Sequence, residues 1–273
     1  MEHPLIMAIL NVTPDSFSDG GLFYCSEKSN VARAIDEAAL MLAEGADLID
    51  IGGESTRPGA APVSADEELA RVVPVIEALQ RRFDVPLSVD TSQPAVMTAA
   101  VHAGASLIND VRALTRDGAL AAVKQLVLTH GVAVCLMHMR GEPDTMNERA
   151  IYQDVLREVT EELGARVTEA VAAGIPRAHL LLDPGFGFAK STAQNLLLLK
   201  NLAALNELGL PLLVGLSRKR MIGDVIGRPV SERQVGSVVA AVMAIARGAR
   251  IVRVHDVAAT RDGVRLFMAL QSV

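Results

Sequence analysis

The segment LLLDPGFGFAK, residues 180–190, joins three leucines to the carboxylate of Asp183 and then to a loop broken by Pro184, Gly185 and Gly187. The apolar run predicts a buried strand, and the proline and the glycines end it. In parallel sheets, ligands bind at the carboxyl ends of the strands. Asp183 is therefore placed to bind a ligand rather than to hold the fold.

An apolar run that ends on a polar residue and a Gly- or Pro-marked loop recurs along the chain. We expect eight strands, at residues 5–12, 47–51, 86–90, 106–110, 132–139, 179–183, 211–217 and 250–255. Helical apolar stripes lie between and after them, at about 30–44, 65–82, from 94, 118–128, 151–173, 193–208, 232–247 and at the C-terminus. This alternation, without a linker, predicts an α/β fold with a single (β/α)8 TIM barrel over residues 1–273. A doubly wound open sheet is the alternative, although such sheets usually divide at this length.

Composition narrows the class of protein. Half of the 273 residues are apolar and only 3% are aromatic, which suits many short buried strands under helices. The net charge is −6 and there is no run of Lys or Arg, so nucleic-acid and membrane partners are disfavoured. Cys25 and Cys135 have no metal-ligand or redox spacing, and the N-terminus lacks a signal-peptide pattern. We expect a soluble, cytoplasmic protein.

Several polar residues fall at predicted strand ends. On the eighth strand, the period of two places Arg253 and His255 on one face, and Lys219 follows the seventh strand with the parity of Gly215. A strand-end Asp is often only a helix N-cap, and a lone Lys or Arg is most often a surface charge. A convergence of six such residues at one barrel mouth favours a site: Asp90, Asn109, Asp183, Lys219, Arg253 and His255.

These residues suggest two kinds of chemistry. The carboxylates and the amide suit a flat heterocycle, because a carboxylate pairs with an N–C–N edge through two hydrogen bonds. Arg57, Arg253 and His255 suggest an anion clamp. Asn11 and Asp15 offer oxygen ligands for a hard cation such as Mg²⁺. Phosphate-binding glycine motifs, a Ser-His-Asp arrangement and a His/Cys metal pattern are absent from the sequence.

Two loops carry aromatic residues among turn formers. Phe17 lies in the Gly-rich stretch 11–21, and Phe186 lies in the stretch that follows Asp183. Polar βα loops are commonly surface connections. Phenylalanines in such loops are harder to explain in that way, and we expect them to cover a ring or to exclude water from a reacting centre.

Eight segments together resemble the dihydropteroate synthase family. They occur in the same order as in that family and span nearly the whole chain: 11–21, 50–59 (DIGGESTRPG), 88–92, 107–110, 137–141, 183–188, 217–219 and 253–256. The first, second and sixth are individually specific. The resemblance implies a TIM barrel that joins para-aminobenzoate to (hydroxymethyl)dihydropterin diphosphate in folate biosynthesis and releases pyrophosphate. It also implies a sulfonamide target and a homodimer.

The resemblance assigns a role to each candidate residue. It implies a pterin pocket of Asp90, Asn109, Asp183 and Lys219, a Mg²⁺ contact at Asn11, and a diphosphate clamp of Arg253 and His255 with Arg57 nearby. The residues implied at the aminobenzoate site are Thr56, Pro58, Phe186 and Lys219, and Phe17 is implied on the first mobile loop. Arg220 departs from the pattern, because a small polar residue is expected beside the lysine, and this puts the rim of the aminobenzoate pocket in doubt.

Other functions remain open at this point. Lys219 at a barrel strand end also suits a Schiff-base aldolase, although the loop with Asn11 has no role in that chemistry. A corrinoid-linked methyltetrahydrofolate methyltransferase shares the pterin-binding barrel without the diphosphate clamp. A pterin-binding protein without turnover is the third alternative, and the complete set of matched catalytic positions argues against it.

Overall fold

The eight strands form one closed parallel barrel. The computed structural model describes residues 3–13, 27–54, 63–142, 145–146 and 148–273. Each strand pairs with its neighbours in chain order, and β8 pairs with β1 to close the barrel. The strands are β1 (Leu5–Asn11), β2 (Leu48–Gly52), β3 (Leu87–Asp90), β4 (Leu107–Asp110), β5 (Ala133–Met137), β6 (Leu180–Asp183), β7 (Leu212–Gly215) and β8 (Ala249–Val254). The predicted (β/α)8 barrel is confirmed.

The described residues also form nine α-helices, one more than predicted. They are α1 (Glu27–Ala43), α2 (Ala65–Arg82), α3 (Pro94–Ala103), α4 (Ala119–His130), α5 (Val155–Ala172), α6 (Thr192–Lys200), α7 (Arg220–Ile226), α8 (Gln234–Ile245) and α9 (Val257–Gln271). The additional helix is α7, a short helix that ends at Gly227 in the left-handed conformation. The helix predicted at 193–208 is divided, because Asn201 caps α6 and a 3₁₀ helix, Leu202–Leu208, follows.

Local sequence signals start several of these helices. The Ser64 side chain accepts a hydrogen bond from the Glu67 N–H at 3.2 Å at the start of α2. Ser191 and Gln194 form a reciprocal capping box on α6. The predicted stripe of α2 was Leu69, Val72, Val73, Ile76 and Leu79. The buried residues are Glu68, Val72, Val75, Ile76 and Leu79, whereas Leu69 and Val73 are half-buried.

The barrel interior is apolar in its amino-terminal half and polar above. A cluster of buried side chains fills the lower part: Met7, Leu48, Leu107, Cys135, Leu213 and Ile251. Because strand side chains alternate, the residues two positions further on point to the same interior. On β2, β4 and β8 these residues are Asp50, Asn109 and Arg253. The packed apolar layer thus supports a polar layer at the carboxyl ends of the strands.

Two further expectations concern cysteines and membranes. Cys135 is a free, buried thiol inside the barrel, and Cys25 lies outside the described residues. Among the helices that the structure describes, none combines the length and the apolar character needed to cross a bilayer.

Candidate active site

A buried ion-pair network joins β2, β3, β4 and β8 at the barrel mouth. Arg253 Nε donates to Asp50 Oδ2 at 2.6 Å, and its Nη2 donates to Asp90 Oδ2 at 2.8 Å. Asn109 Nδ2 donates to the same Asp50 oxygen at 3.2 Å. Ser88 Oγ donates to the other Asp50 oxygen at 2.5 Å. Asp50 therefore orients both Asn109 and Arg253.

The pKa values of Asp90 and Arg253 are shifted within this network. Burial raises the pKa of Asp90 to about 7, although the charge of Arg253 opposes the shift and that of Asp50 adds to it. Burial acts to lower the pKa of Arg253, but the carboxylates of Asp50 and Asp90 outweigh it and raise that pKa. The guanidinium is thus held charged between the carboxyl groups of Asp50 and Asp90.

Asp183 and Lys219 form a second cluster across the mouth. Asp183 Oδ1 accepts a hydrogen bond from the Gly185 N–H at 2.7 Å, and Lys219 Nζ donates to the Phe186 carbonyl. The Lys219 ammonium lies 4.7 Å from the centroid of the Phe188 ring. Burial lowers the pKa of Lys219 to about 8, partly offset by Asp183 and reinforced by Arg253. Burial raises the pKa of Asp183, and Lys219 opposes that shift.

The two phenylalanines of this loop have different positions. The Phe186 side chain is fully buried in the apolar core, so its carbonyl, not its ring, reaches Lys219. The half-buried ring beside Lys219 belongs to Phe188. The expectation that the Phe186 ring covers a ligand is therefore not what the geometry favours. The reason is packing, because an apolar ring next to a β-strand end gains most from full burial.

His255 and Asn11 complete the edge of the mouth. His255 Nδ1 lies 3.0 Å from Ser217 Oγ, and the His255 N–H donates to the same oxygen at 3.2 Å. Asn11 pairs with Gly52 at the end of β1, and Gly52 pairs with Asp90. A Cβ on Gly52 would lie 3.6 Å from Asn11 Oδ1 and from Asp90 Cβ, so both side chains border the space next to Gly52. The described residues contain no group of three or more His, Cys, Asp or Glu that would hold a metal ion by itself.

The structure does not describe every predicted residue. Phe17, Thr56, Arg57, Pro58 and Asp15 fall outside the described residues, and their positions stay predictions. Arg220 begins α7 with its side chain 83% exposed, 3.5 Å from Asp224.

The sequence analysis missed Asp50 as a site residue. The signal was present, because Asp50 interrupts the apolar strand Leu48–Gly52 at an inward-facing position. It also missed the buried pair of His138, just after β5, and Lys190, before α6. Lys190 closes the loop segment but carries no strand parity that would direct it inward.

Comparisons with known proteins agree with this architecture. A sequence profile described as pterin binding enzyme matches residues 7–255. The chain is 49% identical to dihydropteroate synthase of Escherichia coli strain K12 over 272 residues, which cover 100% of this chain and 93% of that protein. The profile covers the strands that carry the buried acid–guanidinium layer at the mouth of the (β/α)8 barrel. Together, the layer and the profile match define a pterin-binding barrel enzyme. The chain belongs to the pterin-binding enzyme family.

The similar solved structures are dihydropteroate synthases. The Xanthomonas albilineans enzyme, solved with 4-aminobenzoic acid, has a TM-score of 0.91 and 52% identity and covers 100% of this chain and 94% of its own. A second structure of that enzyme contains 7,8-dihydropteroate, with a TM-score of 0.88, 49% identity and coverage of 100% and 95%. The Yersinia pestis enzyme with a sulfonamide drug complex has a TM-score of 0.91 and 51% identity and covers 99% and 95%.

Proposed function

We propose that this chain is a dihydropteroate synthase, which joins para-aminobenzoate to (hydroxymethyl)dihydropterin diphosphate and releases pyrophosphate. The observation that carries the proposal is the polar layer of the barrel, where Asp90, Asn109, Asp183 and Lys219 converge beside Arg253. The relatives named for this activity, at up to 52% identity over the whole chain, support it. The methyltransferase and the non-catalytic alternatives have no comparable support.

The pterin ring would occupy the space between the two clusters. Asn109 donates through Nδ2 to Asp50, so its Oδ1 is directed as an acceptor for ring N–H groups. Asp183 takes one backbone N–H on Oδ1, and its other oxygen is suited to an N–C–N edge. Negative charge on these carboxylates stabilises the positive charge that develops on the pterin as the diphosphate leaves.

The leaving group would meet the other side of the mouth. Arg253 and His255 stand at the end of β8, and the Arg57 loop would add a second guanidinium. The amide oxygen of Asn11, which borders Gly52 as Asp90 does, would fit Mg²⁺, which usually takes few protein oxygens and completes its shell with phosphate and water. When bound there, Mg²⁺ would neutralise charge on the diphosphate.

The aminobenzoate nitrogen requires no strong base, because an aniline is neutral and nucleophilic at physiological pH. The described site agrees with this, since Lys219 Nζ donates to the Phe186 carbonyl instead of activating a nucleophile. The protein's contribution is then to hold the amine in line and to stabilise charge. The Schiff-base alternative would use Lys219 covalently, and borohydride trapping with a carbonyl substrate tests it.

One assay tests the proposal. Purified protein with both substrates and Mg²⁺ should form dihydropteroate and one equivalent of pyrophosphate. Chelation should slow the reaction, and restored Mg²⁺ should recover it. Absence of dihydropteroate with both substrates and Mg²⁺ present would refute the proposed function.

We further propose that two copies of the chain associate in the cytoplasm through α8 and its neighbours. Val235, Val239 and Met243 lie at i, i+4 and i+8 on α8 and are 74%, 46% and 46% exposed. Val225 on α7 and Leu266 on α9 extend this apolar surface on the two sides of α8. Val239→Glu should convert the dimer to a monomer in analytical ultracentrifugation, whereas Arg81→Glu on α2 should not. A wild-type protein that sediments as a monomer would exclude this assembly.

A further inference from the structure

A buried lysine lies beneath the loop that follows β6 and takes no part in the proposed chemistry. Lys190 Nζ donates to His138 Nδ1 at 2.9 Å, to the Gly185 carbonyl at 3.0 Å and to the Phe188 carbonyl at 3.1 Å. Its side chain is only 8% exposed. The His138 carbonyl is a fourth, more distant acceptor at 3.5 Å, so Lys190 ties both ends of the Gly185–Phe188 turn to the end of β5.

The contact continues to the protein surface. The Glu162 carboxylate only accepts, so the imidazole proton of His138 is on Nε2, 2.9 Å from Glu162 Oε2, and Nδ1 accepts from Lys190. Burial lowers the pKa of Lys190 to about 7, and the charge of Asp183 opposes that shift. Arg140 Nε donates to Glu162 Oε1 at 3.0 Å and holds that carboxylate from the other side. Burial lowers the pKa of His138 to about 4, in keeping with a neutral ring. Lys190, His138, Glu162 and Arg140 form one hydrogen-bonded chain, here called the lysine chain.

The loop above this chain has an unusual backbone. Gly185, Gly187 and Ala189 have φ values of +67°, +79° and +48°. A Cβ on Gly185 would lie 1.9 Å from the His138 carbonyl oxygen, so the loop packs directly against the end of β5. Left-handed conformations at a non-glycine residue such as Ala189 persist only where the surroundings hold them. The Lys190 ammonium contacts this loop through the Gly185 and Phe188 carbonyls, and Asn195 Oδ1 accepts from the Gly187 N–H at 2.8 Å.

The same loop fixes two residues of the pterin pocket. The Gly185 N–H donates to Asp183 Oδ1 at 2.7 Å, and the Phe186 carbonyl accepts from Lys219 Nζ. If the turn moves, the Asp183 carboxylate loses its backbone donor and Lys219 loses its acceptor. Lys190 forms its hydrogen bonds with His138 and the loop carbonyls, and its charge also opposes the rise in the pKa of Asp183.

We propose that Lys190 is a positioning residue, which acts through the loop and the lysine chain to set Asp183 and Lys219 for pterin binding. The inference rests on the proposed function only in naming the pterin as the ligand. It predicts that the ammonium matters for ligand affinity as well as for folding. Each charged hydrogen bond lost would move affinity by roughly tenfold or more.

The first test replaces Lys190 by an apolar side chain of similar length. Lys190→Met should weaken binding of 6-hydroxymethyl-7,8-dihydropterin about 10- to 100-fold by calorimetry, with a stoichiometry near one per folded chain. Lys200→Met, at the exposed end of α6, removes the same charge and should leave the affinity unchanged. A Lys190→Met protein with a lower melting temperature but wild-type affinity in its folded fraction would overturn the proposal.

The second test uses the half-exposed end of the lysine chain, with the melting temperature measured beside the affinity. Glu162 is 41% exposed, and Glu162→Gln should weaken pterin binding by several-fold because it removes the charge that holds His138. The double variant with Lys190→Met should lose little more than Lys190→Met alone, since both changes break one chain. Full additivity, or unchanged affinity in Glu162→Gln, overturns the proposal. If the wild type does not bind the pterin at all, the proposed function fails instead.

Discussion

Arg253→Met tests whether the buried guanidinium braces the barrel or serves only the leaving group. Arg253 is 21% exposed, and the carboxylates it contacts, Asp50 and Asp90, are 0% and 11% exposed. Methionine keeps much of the stem and removes all the N–H donors. Two carboxylates would then face each other in the barrel without a cation.

The expected loss of stability follows from this burial. Removing one partner of a buried ion pair typically costs about 3–5 kcal/mol. The loss should depend on pH, because without Arg253 the pKa of Asp90, already raised to about 7 by burial, should rise further. A carboxyl whose pKa is higher in the folded than in the unfolded protein favours folding at low pH, and this gain disappears as pH rises. The destabilisation should be near its full size at pH 8 and smaller at pH 5.

Urea unfolding at pH 5, 6.5 and 8 measures this difference. The matched control is Arg81→Met, which removes an arginine from an exposed pair, 3.6 Å from Glu77, and should change stability by less than about 1 kcal/mol at each pH. An Arg253→Met protein as stable as the wild type at pH 8 would refute the brace. A loss that is equal at all three pH values would refute the role of the acids.

A double variant then separates the brace from the clamp. Asp50→Asn removes one of the two uncompensated charges, so Arg253→Met with Asp50→Asn should regain part of the lost stability. In this background, free hydroxymethyldihydropterin should still bind, whereas the rate on the diphosphate substrate should stay low, with kcat and kcat/KM falling together. Restored turnover in the double variant would mean that Arg253 has no role at the leaving group.

Three further predictions address other parts of the molecule. Burial raises the pKa of Glu68 from 4.5 to about 7, so the folded chain is stabilised by this proton below pH 4.5 and loses that stability as pH rises towards 7. In urea unfolding, the free energy of unfolding of Glu68→Gln should therefore rise by about 2–3 kcal/mol relative to wild type between pH 4.5 and 8. Glu77→Gln on the same helix is the control, and a pH dependence in Glu68→Gln equal to that of the wild type would contradict this. Asp183→Asn keeps the shape but removes a charged partner of the pterin, and calorimetry should show a loss of about 1.5–3 kcal/mol in affinity, which unchanged binding would disprove. If pyrophosphate with Mg²⁺ organises the loops that bear Asn11 and Arg57, aminobenzoate should bind poorly to the free protein and well after these ligands are added. Equal affinity in both titrations would remove the argument for an assembled pocket.

The order of strands and helices could be predicted from local sequence. Apolar runs of four to seven residues, each followed by turn formers, are recognisable without their neighbours, and α2 was predicted with its observed bounds, Ala65–Arg82. Strand ends were predicted within one or two residues. The predictions failed where helices are short or interrupted, as at α7 and at Asn201. A helix of a few residues shows too little apolar periodicity to be recognised among neighbouring glycines and proline.

Site residues divide in the same way. The parity of β8 and the strand-end positions predicted that Asp90, Asp183 and Arg253 meet at one mouth, since a strand's period of two is a local property. The partner of each residue could not be read from that pattern. Arg253 and Asp50 are separated by 203 residues and meet only because β8 closes on β1 and brings β2 near.

Only the tertiary structure decided which side chains of the loop after β6 are buried and which lie beside the candidate site. Both Phe186 and Phe188 follow the strand, but the packing of the helices around β6 buries the first ring and leaves the second beside Lys219. Lys190 resembles a surface lysine in the sequence, yet the end of β5 and the loop carbonyls surround its ammonium. Sequence periodicity indicates which face of a helix or strand is apolar. Burial of a charged side chain depends instead on partner groups from distant elements, and these come together only when the barrel closes.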